Sequence, residues 1–182
     1  MKQAICYHKI LGWKAEVSVP DFDKCIICAA PHTTNWDLFI GKLFISAIGR
    51  ESGFMMKKEW FFFPLGILFR WMGGIPVHRD KRTSMVDQVI KQVNASEKFH
   101  LAITPEGTRS PNPNWKKGFY YIALGANIPI VLIGIDYEKK CITAGKYIIP
   151  SGDIDKDMRE IKLYFKDFKG KHPHKFVLGD ID

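Results

Sequence analysis

Apolar and polar positions along the 182-residue chain alternate between two periods. Short apolar or alternating runs typical of strands are followed by stretches in which apolar residues recur every three or four positions, as in a helix packed on one face. The helical pattern is clearest at 84–96, whose apolar face holds Met85, Val86, Val89, Ile90 and Val93. Strands are predicted at 14–19, 24–30, 54–57, 74–77, 99–104 and 129–135, and helices at 36–49, 59–72, 84–96, 119–126 and 151–168, the last capped by Ser151.

This alternation predicts an α/β fold, a single domain over 1–182 with a mixed, mostly parallel central sheet flanked by helices. The helix at 59–72 is broken by Pro64 and Gly66, and 137–149 has a hairpin-like pattern. We expect a motif-bearing core at about 24–135, followed by C-terminal strands, a helix and a basic tail at 136–182. Ligands of such sheets bind beyond the carboxyl ends of strands, so polar residues there are candidates for function.

Composition and charge narrow the choice of partner. A chain that is 46% hydrophobic and 25% charged is neither disordered nor collagen-like. Its 27 Lys and Arg against 19 Asp and Glu give a net charge of +8, which indicates nucleic acid, a phospholipid surface or a phosphorylated substrate. The excess lies in two stretches, 50–82 and 156–175, each with seven basic and three acidic residues. We expect the second to be a solvated helix face and basic tail, with His172 and His174 exposed.

Short segments of the sequence argue against three classes of protein: secreted proteins, membrane-spanning proteins, and proteins with a redox or zinc site. The first residues contain no apolar run typical of a secretion signal. The uncharged run at 118–135 approaches the about 20 residues of a membrane span, but Gly125, Asn127 and Pro129 predict a helix, a turn and a strand. Cys25 and Cys28 lie three apart in a strand, which places them on opposite faces and favours buried thiols over a redox or zinc site. We expect no metal.

The first candidate for chemistry follows the strand at 24–30. His32 comes just beyond the strand, and Asp37 follows five positions later at the start of a helix. A carboxylate bound to one ring nitrogen fixes the histidine tautomer and leaves the other nitrogen as a general base. The alternative is a loop histidine and an acidic residue favoured by the helix dipole. The two residues by themselves leave both interpretations open.

Two further polar clusters follow predicted strands. At 105–110 the sequence is Pro-Glu-Gly-Thr-Arg-Ser, in which Gly107 permits a tight turn and Arg109 offers a planar fork suited to phosphate. Glu106 could hold hydroxyls or orient a basic group; the alternative is a solvated turn with a surface ion pair. Arg79 follows another strand. Two arginines and a His–Asp pair at strand ends would suit a phosphorylated substrate and an attacking hydroxyl.

Four blocks in order resemble the glycerolipid acyltransferases, the family that includes lysophosphatidate acyltransferase. They are HxxxxD at 32–37, GGIPVHR at 73–79, PEGTRS at 105–110 and IPIV at 128–131. The resemblance implies acyl transfer from acyl-CoA or acyl carrier protein to a lipid hydroxyl, with 1-acylglycerol-3-phosphate as leading acceptor and no cofactor. It implies that His32 is the base and Asp37 its orienting group. It further implies an acceptor site that includes Arg79, Glu106, Gly107, Thr108 and Arg109.

The sequence departs from the family pattern in ways that concern the acceptor. Residues 33–36 are Thr-Thr-Asn-Trp, where many members have a basic residue and a serine, and 76–78 replace a usual Phe-Ile pair. The N-terminal hydrophobic spans of many relatives are absent, as in a compact bacterial branch. A non-phosphoglyceride acceptor is one alternative. A basic nucleic-acid-binding module without catalysis is a more distant one, although no recognised nucleic-acid motif is present.

The aromatic, basic stretch at 57–72 predicts contact with a membrane. Trp and Phe partition into the boundary between headgroups and acyl chains, and Lys and Arg favour anionic lipid. The alternative is that these aromatics belong to the core. We expect a cytoplasmic enzyme associated peripherally with the inner face of the cell membrane, in an unknown oligomeric state. The expected contact residues are Trp60, Phe61, Phe62, Phe63 and Trp71.

Overall fold

The computed structural model describes residues 12–71, 73–77 and 85–181. In this part of the chain, strands and helices alternate as the hydrophobic pattern predicts. The strands are β1 (Lys14–Val17), β2 (Lys24–Ala30), β3 (Gly53–Lys57), β4 (Gly74–Val77), β5 (Phe99–Ile103), β6 (Ile130–Asp136) and β7 (Cys141–Ile148). The α-helices are α1 (Trp36–Ala47), α2 (Leu65–Trp71), α3 (Met85–Ala95), α4 (Gly118–Ala126) and α5 (Ile154–Phe165), and short 3₁₀ turns lie at Lys58–Trp60 and Pro173–Lys175.

All seven strands form one sheet in the order β1-β7-β6-β2-β5-β3-β4. The five strands from β6 to β4 are parallel, whereas β7 runs antiparallel to β6 and carries β1 parallel to itself. The predicted mixed, mostly parallel α/β sheet is therefore confirmed. In the register of β2, Cys28 pairs with Ile103 of β5 and Ala30 pairs with Gly134 of β6. The loops that leave β2 and β5 consequently emerge side by side at one edge of the sheet.

The sheet separates two hydrophobic clusters, because alternate residues of each strand point to opposite faces. Ile26 and Cys28 of β2 pack in the cluster that α3, α4 and α5 cover. Cys25 and Ile27 pack on the other face, with residues of α1. Burial raises the pKa of the Cys25 thiol to about 12 and also raises that of Cys28. The prediction of two buried, unreactive thiols on opposite faces is confirmed.

The predicted interruption of the helix at 59–72 is confirmed at Pro64, after which α2 begins at Leu65. Gly66, however, lies inside α2 and not in the break. A Cβ at Gly66 would meet the carbonyl oxygen of Phe61 at 2.5 Å, so only glycine allows the helix to approach the preceding segment this closely. In the run at 118–135, Asn127 has a left-handed backbone (φ 52°) that ends α4 before β6 begins. None of the helices in the described ranges is long and apolar enough to cross a membrane.

Two predicted details near the C-terminal end of the chain are corrected. The cap of α5 is Asp153, whose side chain accepts the N–H of Lys156, and not Ser151. The hydroxyl of Ser151 instead donates to Asp157, whose buried carboxylate needs donors. The hairpin predicted within 137–149 forms between β6 and β7, because residues from β6 supply its first strand and 137–140 supply the turn.

Candidate active site

The loop between β2 and α1 brings His32 and Asp37 together. Nδ1 of His32 lies 3.2 Å from Oδ2 of Asp37. The same Oδ2 accepts the backbone N–H groups of Thr33 at 2.7 Å and Thr34 at 2.9 Å. The Asp37 carboxylate therefore lies at the centre of its own loop, whose backbone N–H groups point toward it. Acidic residues in the first turn of a helix are commonly held in this way.

The imidazole of His32 lies close to this carboxylate. Within the described part of the chain, Nδ1 of His32 has no partner that satisfies the full angular geometry of a hydrogen bond, although Asp37 is near it. Two backbone N–H groups already donate to the same oxygen of Asp37. The His32 side chain is 19% exposed while that of Asp37 is 2% exposed. Nε2 is therefore the ring nitrogen left for a substrate.

The second oxygen of Asp37 is held by a residue that sequence reasoning missed. The hydroxyl of Tyr137 donates to Oδ1 of Asp37 at 2.6 Å. Burial by itself would raise the pKa of Asp37, but the donors from His32, Tyr137, Thr34 and Thr33 outweigh it and lower that pKa. Asp37 is thus ionised throughout the neutral range. Tyr137 is 100 positions away in sequence, and nothing in the local pattern indicates its partner.

Glu106 lies beneath the loop. Its side chain is only 1% exposed, and Oε1 accepts the backbone N–H of His32 at 2.7 Å. Burial, helped by the negative charge of Asp37 and opposed by the N–H of His32, raises the pKa of Glu106 to about 8. At neutral pH this carboxyl is mostly protonated. The structure places it as a support for the His32 backbone; its predicted role in acceptor binding stays a prediction.

The loop after β5 lies against the loop after β2. The Arg109 guanidinium donates to the side-chain oxygen of Asn35, which joins the two loops at the exposed surface. Gly107 has φ +67°, a conformation that other residues rarely adopt, and Oγ1 of Thr108 accepts the N–H of Ser110 at 3.2 Å. The exposed Lys116, which the sequence reasoning did not single out, packs its stem beside Gly107. Arg79 lies outside the described residues.

The segment after α5 also packs on the site, contrary to the predicted solvated tail. Gly170 is buried so closely that a Cβ there would lie 2.8 Å from Cγ2 of Thr33. The N–H of His172 donates to Oγ1 of Thr33 at 3.3 Å, and Nζ of Lys171 lies 5.9 Å from the centre of the Trp36 ring. His174 is exposed, as predicted, but His172 is half-buried. Contact with the loop between β2 and α1, not solvation, organises this segment.

The aromatic stretch is mostly exposed. Phe63 and Trp71 are each 83% exposed and Phe62 is 54% exposed. Phe61 is half-buried and packs edge-on against Phe69, whereas the side chain of Trp60 lies outside the described residues.

Helix α1 carries a second exposed apolar stripe, which the sequence analysis did not predict. Its only signal in the sequence is that the apolar residues follow one another at intervals of three and four positions. The stripe consists of Trp36, Phe39 and Leu43.

A metal site is not apparent in the ranges that the structure describes, since nowhere in them do three or more His, Cys, Asp or Glu side chains converge as metal ligands would. The polar groups of the site are therefore one ionised carboxylate, one partly exposed imidazole, one mostly neutral carboxyl and one exposed guanidinium. Such a set can accept a proton from a hydroxyl, stabilise the resulting imidazolium and hold an anionic group on the neighbouring loop.

Comparisons with known proteins agree with this chemistry. A family model described as Acyltransferase matches residues 14–136, more than half of the chain. No curated protein sequence matches significantly. The fold is similar to the crystal structure of the 1-acyl-sn-glycerophosphate (LPA) acyltransferase PlsC from Thermotoga maritima, with a TM-score of 0.53 and 19% sequence identity. That match covers 76% of this chain and 62% of the other, so the chain spans less than two thirds of that relative.

Proposed function

The chain belongs to the acyltransferase family, and we propose that it transfers a fatty acyl group from a thioester donor to the hydroxyl of a lysophospholipid-type acceptor. Acyl-CoA or acyl carrier protein is the donor, and 1-acylglycerol-3-phosphate is the leading acceptor. The observation that carries the proposal is the His32–Asp37 pair at the carboxyl edge of the sheet, with Arg109 on the adjoining loop. The similarity in fold to PlsC, an LPA acyltransferase, supports this acceptor class.

The reaction follows from the positions of these groups. A lipid hydroxyl is too weak a nucleophile to attack unaided, so His32 takes its proton as the oxygen attacks the thioester carbonyl carbon. The new ester C–O bond forms, the C–S bond breaks, and the leaving sulfur takes up the proton from the His32 imidazolium. Asp37, ionised and buried, stabilises that imidazolium while it exists. Because the thiolate leaves readily, the mechanism requires no covalent acyl-enzyme.

The acceptor phosphate is assigned to the loop after β5. Arg109 supplies a planar, permanently charged fork at the surface, and Gly107 and Thr108 supply a tight turn beside it. We include Arg79 in this site on the strength of its sequence block. Glu106 contributes from below, because it holds the backbone of His32. A non-phosphorylated lipid acceptor remains the alternative that the test below separates.

Membrane contact is proposed for the exposed aromatics. Phe62, Phe63 and Trp71 are exposed large aromatics of one stretch, and the exposed Lys58 and Arg70 lie in the same stretch. This combination suits the boundary of an anionic bilayer. We therefore place the protein on the inner face of the cell membrane, peripherally bound, where its lipid acceptor resides.

The test is a panel of donors and acceptors with product detection by mass spectrometry on the purified protein. We expect acylation of 1-acylglycerol-3-phosphate by an acyl-CoA or an acyl carrier protein, and loss of turnover by about 10²–10⁴-fold in His32→Ala, the usual contribution of a general base. His174→Ala, which removes an exposed histidine, is the matched control and should turn over as the wild type does. Near-normal transfer by a folded His32→Ala protein would refute the mechanism.

The acceptor class is read from Arg109→Ala in the same panel. We expect a higher KM for the phosphate-bearing acceptor and little change for an acceptor without phosphate. Efficient acylation of a monoacylglycerol, indifferent to this substitution, would favour the non-phosphoglyceride acceptor. Salt-sensitive binding of nucleic acid with no acyl transfer to any acceptor would favour the nucleic-acid alternative instead.

A further inference from the structure

Asp37 divides its two oxygens between different partners. Oδ2 accepts the N–H groups of Thr33 and Thr34 and faces Nδ1 of His32, while Oδ1 accepts the Tyr137 hydroxyl. The Tyr137 bond, at 2.6 Å, is the shortest of these contacts. A phenol bonded to an ionised carboxylate is a strong, charge-assisted interaction. The orientation of the carboxylate is therefore set jointly by its own loop and by Tyr137.

Tyr137 is itself fixed by its surroundings. It follows directly on the last residue of β6, and its backbone N–H donates to the carbonyl of Lys169 at 2.8 Å. The edge of its ring meets the Trp13 ring with centroids 4.9 Å apart and planes at 89°. Burial, reinforced by the charge of Asp37, raises the pKa of the Tyr137 hydroxyl, so it remains a protonated donor. The hydroxyl is thus held ready for one acceptor.

We propose that Tyr137 is a positioning residue of the acyl-transfer site: its hydroxyl locks the Asp37 carboxylate with Oδ2 toward His32 and draws negative charge toward Oδ1. This inference rests on the function proposed above. Tyr137 acts through Asp37, and no contact with substrate is required. It lies one residue beyond the segment 14–136 that the family model matches.

Loss of the hydroxyl leaves the Asp37 carboxylate held by its own loop alone. Oδ2 keeps the N–H groups of Thr33 and Thr34, but Oδ1 loses its donor. The alignment of the carboxylate with the imidazole is then less well defined, which slows proton transfer. A loss of fold stability would produce neither a changed signal of the His32 ring nor a selective change in kcat.

The experiment follows the His32 ring nitrogens by nitrogen NMR at one neutral pH in the intact chain, with the resonances assigned by their disappearance in His32→Ala. Tyr137→Phe removes the hydroxyl and keeps the ring against Trp13. The matched control is Tyr120→Phe, because Tyr120 donates to the buried Asp157 at 2.8 Å in the same way, between α4 and α5. We expect the chemical shift of His32 Nδ1, the nitrogen that faces Asp37, to change in Tyr137→Phe and to stay at its wild-type value in Tyr120→Phe.

Turnover provides the second measurement. With the acceptor that the panel identifies, Tyr137→Phe should lower kcat by about threefold to tenfold with KM unchanged. A wild-type Nδ1 signal in a folded Tyr137→Phe protein overturns the positioning role even if the wild type transfers acyl groups. Conversely, absence of transfer by the wild type refutes the proposed function, while the NMR comparison still decides whether Tyr137 controls Asp37.

Discussion

The two basic stretches carry the same charge excess but have opposite positions in the fold. In the first, Phe63 and Trp71 of the described part are 83% exposed, and the aromatics form an open surface. In the second, Phe165 is fully buried and Gly170 packs against the loop that holds His32 and Asp37. Net charge therefore says little about where a segment lies. The stretch at 50–82 supplies an exposed aromatic surface, whereas the stretch at 156–175 packs against the loop that holds His32 and Asp37.

The spacing and number of apolar residues explain this difference. In α5, Met158, Ile161 and Phe165 recur every three or four positions, so a single face buries all of them. Helix α2 has only seven residues, and its apolar side chains point in several directions. A helix that is apolar on all sides cannot bury every side chain against one sheet. Its outer side chains stay exposed unless another surface covers them.

The largest effect is expected from Glu106, the buried carboxyl beneath the loop that holds His32. It tests whether water is excluded from the surroundings of this side chain. Its pKa, near 4.5 in an unfolded chain and about 8 in the fold, means that the folded state binds more protons between these values. Stability from this group is therefore complete below about pH 4.5 and is lost as pH rises through about 8, at up to about 1.4 kcal/mol per pH unit. Glu106→Gln keeps an acceptor for the His32 N–H but cannot ionise.

Urea unfolding of both proteins at pH 5 and pH 8.5 measures this. We expect the free energy of unfolding of Glu106→Gln, relative to the wild type, to increase by a few kcal/mol between the two pH values. All other titrating groups are shared and largely cancel in the difference. If the difference does not depend on pH, Glu106 is ionised in the fold and water reaches its carboxyl group.

The next effect concerns the exposed surface. The double substitution Phe63→Ser and Trp71→Ser should weaken binding to phosphatidylglycerol-containing vesicles by about tenfold to a hundredfold, since each side chain loses part of the roughly 1.5–3 kcal/mol that full burial provides. Leu163→Ser, from the second stretch, removes an exposed apolar side chain of α5 and should leave binding intact. Equal losses in both proteins, or binding without dependence on anionic lipid, would contradict a dedicated membrane surface.

The smallest effect tests whether the second stretch supports the site. In Gly170→Ala the new Cβ would meet Thr33 at 2.8 Å and Pro31 at 3.1 Å, so the catalytic loop must shift by a few tenths of an ångström. We expect kcat to fall by about fivefold, a modest share of what a 1 Å misplacement costs. Gly118→Ala is the control, because its Cβ would meet open space. Wild-type turnover by Gly170→Ala would show that the segment merely covers the loop.

Much of the architecture was predictable from local pattern. The strands and helices follow from runs and periods of apolar residues. The spacing of His32 and Asp37 across one strand-to-helix loop indicated their pairing as one of two interpretations, and the structure brings the two side chains together. Arg109 was a candidate for anion binding because of its place after a strand. Each of these inferences depends on residues that are close in sequence, where backbone geometry allows few arrangements.

Local patterns in the sequence thus predict the α/β alternation, the family and the candidate base with its carboxylate. Three contacts follow from the fold alone: Glu106 turns inward beneath His32, Tyr137 holds the far oxygen of Asp37, and 169–172 pack on the loop. These contacts join residues separated by 74 to 139 positions, and their partners are chosen by strand order and register. The exposure of Phe63 and Trp71 has the same origin, because burial depends on which neighbouring surfaces are present and not on the hydrophobicity of the side chain.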